Sequence, residues 1–103
     1  MEIKNELEEI FELADNAKIS LSVMQSKKGI YYPLEDEILI NPCQSKQEFG
    51  KTFLHELYHR WAQVNNVYLN RRLEEYYAEK YAQEMYSLYK KEIEEYLKKR
   101  ELK

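Results

Sequence analysis

From Asn70 to Arg100 the chain carries one apolar stripe at helical spacing, and no glycine or proline interrupts it. Leu73, Tyr77, Ala78, Tyr81, Ala82, Met85, Leu88 and Tyr89 make up the stripe, which continues toward Ile93, Tyr96 and Leu97. Unbroken, such a helix would be roughly 45 Å long at about 1.5 Å per residue. A chain of 103 residues has room for one domain with one modest core, which is narrower than that. The helix must therefore overhang the body, kink or fold back on it. Asn70 is placed to cap its start.

A second helix precedes it. Ser45 followed by Glu48 is a capping box, in which the hydroxyl accepts from the helix amide three residues on. Phe49, Phe53, Leu54, Leu57, Trp61 and Val64 then hold an apolar stripe until Asn65 and Asn66 interrupt it. At the start of the chain Ile3, Leu7, Ile10, Phe11 and Ala14 give a charged first helix ending near Asp15 or Asn16. Between these helices the period shifts to two. Ile19, Leu21 and Val23 alternate with Ser20, Ser22 and Met24, and two further short runs follow: Ile30 to Tyr32, stopped by Pro33, and Ile38 to Ile40, stopped by Asn41 and Pro42.

The expected fold class is α+β: an N-terminal helix, a small three-stranded antiparallel sheet, a central helix and a long final helix with a C-terminal extension. Residues 1–103 form a single domain, with no repeat or linker inside it. The extension, 90–103, leaves three uses open: a solvated end, a regulatory cover over a cleft, or a surface for a homodimer through the C-terminal helix.

Charge narrows the function classes. The formal charge is −3 from intermixed Lys and Glu, with no basic block before the last fifteen residues, so no nucleic-acid partner is expected. No apolar run approaches a membrane span, and Met1 to Ile10 alternates charged with apolar side chains where a signal peptide needs a continuous hydrophobic stretch. The single Cys43 cannot form an internal disulfide. The expectation is a soluble, cytoplasmic protein with no membrane partner.

His55-Glu56-Leu57-Tyr58-His59 is an HExxH pattern inside the segment that the capping box and apolar stripe already make a helix. A spacing of four puts both imidazoles on one helical face, close enough to converge on one tetrahedral zinc ion. Glu56 lies about 100° round the helix from His55, unable to complete the same coordination but within reach of water at the metal, as a general base requires. On the order of a few chains per thousand of this length would carry the pattern by chance.

A catalytic zinc needs a third protein ligand, and Glu74, Glu75, Glu79 and Glu84 on the next helix are the candidates. Ala78 and Ala82 mark where that helix can approach the first. Glu75 lies one turn before Ala78 and is therefore placed as the ligand. Glu79, four residues further on the same side, is placed to hold one imidazole by its other nitrogen.

HELYH, then EYYAEKYA on the following helix, with ILINP ahead of both, resembles the gluzincin metallopeptidases. The similarity is to the single-domain minigluzincins of the proabylysin and projannalysin type, and more distantly to ImmA/IrrE-like peptidases. It spans roughly Ile30 to Tyr86. The resemblance implies a zincin-like fold, Zn²⁺ as cofactor, hydrolysis of a peptide or protein substrate, a latent form, and an edge strand above the cleft that pairs with extended substrate. Glu79 stands where relatives often have Asp or Asn, and nothing matches the downstream domain that supplies larger gluzincins with a transition-state histidine.

The mechanism expected is zinc held by His55, His59 and Glu75, with Glu56 taking a proton from the attacking water and returning it to the leaving amine. Gly29, Ile30 and Tyr31 are the candidate substrate-binding residues, through β-augmentation. Tyr31, Tyr32, Tyr58 and Tyr77 are unranked candidates for an oxyanion donor. The competing functions are a catalytically silent zincin-like binding or regulatory module and a helical dimerisation protein.

Overall fold

The computed structural model describes residues 5–102. Its elements run α1 (Glu6–Asp15), β1 (Lys18–Leu21), β2 (Gly29–Tyr32), β3 (Glu37–Ile40), α2 (Lys46–Val64) and α3 (Arg71–Lys99). Ile3, expected to open the first apolar stripe, lies outside the described residues. Each helix starts on a side-chain cap. Asn5 accepts from Glu8 N, Ser45 from Glu48 N, and Asn70 from Leu73 N, which satisfies donors the first turn otherwise leaves without partners. The carboxylate of Glu48 does not fold back over the Ser45 cap. It pairs instead with Lys28 at 2.7 Å, tying the start of α2 to the residue before β2.

The sheet corrects the antiparallel expectation. Strand order is β1-β3-β2, with β1 parallel to β3 and β2 antiparallel to it. The chain leaves β1, crosses to the outer position for β2, and turns through Asp36, at φ 49°, to lay β3 in the middle. Parallel neighbours need a long crossover, and here the segment from Ser22 through β2 to Asp36 provides it. Asn41 fixes the crossing: its side-chain amide donates to the carbonyls of Met24 and Lys27 at 2.6 and 3.1 Å. Sequence alternation alone cannot distinguish this path from a meander, because both bury the same alternate residues.

Ile38 and Ile40 of the central strand are fully buried in one core with Phe49, Phe53, Leu54 and Leu57 of α2. α3 crosses α2 where side chains are small. Ala78 and Ala82 are buried, and a Cβ on Gly50 would stand 2.5 Å from the ring of Tyr86. That close approach brings the carboxylates at the start of α3 over the middle of α2.

The long helix kinks. Tyr89 has φ −128° and ψ 28°, outside helical values, and beyond it Ile93 and Leu97 turn into the core. Tyr96 stacks on Phe11 of α1 at 4.5 Å between ring centroids, and Arg100 donates to the carbonyl of Ala14. The stripe of the extension is thus covered by the chain's own first helix. None of residues 90–102 lines the cleft described below. No helix among the described residues is long and apolar enough to cross a membrane.

Candidate metal centre

His55 and His59 stand one turn apart on α2, with ring centroids 5.0 Å from each other. Their Nε2 atoms face the two oxygens of one carboxylate, that of Glu75 from the first turns of α3, at 3.1 and 2.9 Å. Taken one per residue, the three donor atoms lie within 4.8 Å of one another. Donors about 2.0–2.1 Å from a tetrahedral zinc lie about 3.3–3.4 Å apart, so the two histidine-to-carboxylate separations fall a few tenths of an ångström inside that spacing. Two imidazoles and one carboxylate with one side open to solvent is the donor chemistry of a catalytic zinc site, and these residues fit the ion.

The outer nitrogens are also engaged. His55 Nδ1 lies 3.1 Å from Glu79 and His59 Nδ1 2.6 Å from Glu74. An Nδ1–H donated to a carboxylate fixes the tautomer, leaving each Nε2 lone pair aimed at the gap beside Glu75. Sequence reasoning weighed Glu74 only as a ligand and missed this orienting position. The available signal was its place one residue before Glu75, about 100° round the helix, where it can reach the second imidazole while Glu75 stands between both.

Glu56 is only 7% exposed. Burial pushes its carboxyl up to about 7, against the charge of His55, while nearby Glu75 raises it and Lys27 lowers it. Gly29 explains how this side chain is enclosed. A Cβ on Gly29 would come 2.6 Å from Thr52 Cγ2 and 3.2 Å from Glu56 Cγ, so β2 can lie against α2 at this point only without a side chain.

His55, Glu56, His59, Glu74, Glu75 and Glu79 all line one open cleft of about 840 Å³, with Gly29, Ile30 and Tyr31 along its other wall. β2 is an edge strand. Asn41 N donates to Lys28 O at 2.8 Å, and Gly29 opposes Ile40 in the register. Hydrogen-bonded pairs alternate along an antiparallel ladder. Ile30 therefore turns its main-chain groups toward β3, while those of Gly29 and Tyr31 point out to the open edge.

The tyrosine candidates separate. Tyr31 lines the cleft, but its hydroxyl donates to Asp36 at 2.9 Å and burial pushes it up to about 12. Tyr58 packs against Trp61 and Tyr81, and Tyr77 against Tyr76. Neither Tyr32, Tyr58 nor Tyr77 lines the cleft. Tyr68 does, from the loop between α2 and α3, with a hydroxyl 3.1 Å from Asn66. Comparison of the chain with protein-family models, with curated proteins and with solved structures finds no match.

Proposed function

We propose that this protein is a zinc-dependent metallopeptidase of gluzincin type, holding Zn²⁺ through His55, His59 and Glu75. The observation that carries this reading is the convergence of both Nε2 atoms on the Glu75 carboxylate, at 3.1 and 2.9 Å, beside a buried Glu56 in an open cleft. When bound, zinc supplies Lewis acidity, acidifying water and polarising a carbonyl. Glu56 is the group that accepts the proton of the attacking water and passes it to the leaving amine. A carboxylate within hydrogen-bond reach of that water can make both transfers. Glu79 and Glu74 hold the two imidazoles. The outward main-chain groups of Gly29 and Tyr31 pair with an extended peptide, aligning it without demanding a particular sequence.

A second reading, a zincin-like module that binds without cleaving, has one observation in its favour: Tyr31, the candidate phenol on the cleft wall, commits its hydroxyl to Asp36. The deciding experiment is elemental analysis of the purified protein paired with hydrolysis of a quenched-fluorescence peptide library. Stoichiometric zinc, lost in His59→Ala, with cleavage abolished by Glu56→Gln supports the peptidase. Zinc without cleavage supports the silent module, and absence of zinc removes both. A cytoplasmic location belongs to the same proposal and rests on the lone, unpaired Cys43.

A further inference from the structure

Away from the cleft, a groove of about 270 Å³ opens where α1, α2 and α3 meet, lined by Glu6, Glu9, Leu13, Tyr58, Trp61, Tyr81 and Met85. One wall is aromatic. Tyr58 and Trp61 lie at i and i+3 on α2 with centroids 5.6 Å apart, and Tyr81 of α3 sits 5.7 Å from Tyr58. The opposite wall is acidic. Glu6 and Glu9 lie at i and i+3 on α1, so both carboxylates stand on the same face of that helix. Leu13 and Met85 complete the lining with apolar surface.

Glu6 and Glu9 sit in the first turn of α1, whose positive end favours carboxylates, and no cationic side chain answers them among the described residues. Among the described residues, no ion pair reaches Glu6 or Glu9 and no Lys or Arg lines the groove. Glu6 accepts a hydrogen bond from Tyr89 at 3.3 Å, which leaves most of its acceptor capacity unused. The Tyr81 phenol is held well above its usual range by burial, with the charges of Glu6 and then Glu9 adding to it. Both carboxylates thus act on the aromatic wall. Trp61 remains 38% exposed at the mouth.

We propose that this groove is a binding site for an arginine side chain presented by a partner peptide or protein. A guanidinium is planar and weakly hydrated, so it stacks on tilted rings and still donates sideways to two carboxylates. Its methylene stem matches the Leu13 and Met85 surface. The volume suits one long side chain, since sites for drug-sized ligands run to about 300–1,000 Å³. A primary ammonium, compact and strongly hydrated, would use the carboxylates and forgo the rings. The site is independent of the metal centre, although Tyr58 sits inside the HExxH pattern and its ring centroid is 6.4 Å from that of His59.

The chain contains one tryptophan, so Trp61 reports on the groove directly. Its fluorescence is titrated with acetyl-Gly-Arg-Gly-amide and with the same peptide carrying citrulline, which keeps the shape and loses the charge. The expected result is a saturable change with the arginine peptide and binding about tenfold weaker with citrulline. Glu9→Gln, an exposed position checked for folding by its melting curve, is expected to weaken the arginine peptide several-fold and leave the citrulline peptide unchanged. Equal binding of the two peptides, no saturable change in the millimolar range, or a folded Glu9→Gln protein that binds arginine as the parent does would each overturn the proposal.

Discussion

His59 Nδ1 lies 2.6 Å from a carboxylate oxygen of Glu74, the residue immediately before the one whose carboxylate faces the other nitrogen of the same ring. Two adjacent glutamates of α3 thus grip opposite sides of one imidazole. His55 is gripped likewise, between Glu75 and Glu79. The four contacts make the start of α3 a template for the pair of histidines.

Removing an orienting carboxylate should therefore loosen the ion without removing a ligand. Glu74→Gln and Glu79→Gln are each expected to weaken zinc by about 10- to 100-fold, and Glu74→Gln more, because its contact is the shorter by 0.5 Å (3.1 − 2.6). Competition with a chromogenic chelator measures it. Wild-type affinity in both variants would show that the carboxylates do not orient the rings.

Glu56→Gln should keep the metal and lose the chemistry. A neutral amide cannot take the proton, so peptide hydrolysis is expected to fall by about 10²–10⁴-fold at unchanged zinc content. Parental turnover in a zinc-loaded Glu56→Gln protein contradicts the role given to this residue.

Gly29→Ala tests the contact between β2 and α2. The added methyl would meet Thr52 Cγ2 at 2.6 Å, the Leu39 carbonyl oxygen at 3.1 Å and Glu56 Cγ at 3.2 Å. Overpacking of this kind costs about 1–3 kcal/mol. Urea unfolding is expected to show that loss, together with reduced cleavage as Glu56 is displaced. An unchanged midpoint would mean that the strand moves aside freely.

Asp36→Asn isolates a charge. Asp36 sits at positive φ, where Asn is equally at home, and it accepts from Arg60 through two nitrogens at 2.8 and 3.0 Å. Arg60 is buried, while the Asp36 side chain is 44% exposed. The loss is therefore expected at about 1–3 kcal/mol, below the about 3–5 of a fully buried pair.

The pH dependence of that pair follows its sign. The hydrogen bonds from Arg60 hold the Asp36 carboxyl below its ordinary value, against the effect of burial. A depressed carboxyl stabilises the fold fully above its unfolded pKa, about 3.9, and loses that stabilisation as pH falls through the folded value. The gap in melting temperature between parent and Asp36→Asn should hold from pH 7 to about 5 and close at lower pH. A gap independent of pH down to acid unfolding would assign the effect to something other than this charge.

The helices were legible because their signals are local. Ser45 and Asn70 cap where their side chains predict, and Ala78 and Ala82 do mark the crossing of α3 over α2. The strand runs were legible too, but their order was not. Pairing is non-local, and the device that fixes it, the grip of Asn41 on Met24 and Lys27, is invisible in a pattern of alternating residues. The course of α3 past Tyr89 is similar: Ile93 and Leu97 read as a continuation of the stripe, and only the packing of α1 decides that they turn inward. At the candidate site, spacing singled out His55 and His59, and the small residues Ala78 and Ala82 pointed to Glu75 among the four glutamates. The position of Glu74 beside His59 depends on the rotation of α3 about its own axis, which spacing leaves undetermined.

Arg60 follows His59 directly, and besides Asp36 it donates to the carbonyls of Leu13 and Asn16. One guanidinium thereby pins the β2–β3 turn and the end of α1 to the helix that carries both histidines. The wall formed by β2 and the floor formed by α2 are thereby joined at the end of the strand, and a guest that pushed them apart there would have to break those hydrogen bonds. A bulky guest would then find room on the opposite bank, the loop around Tyr68 and the first turns of α3, which is also where Glu74, Glu75 and Glu79 reside.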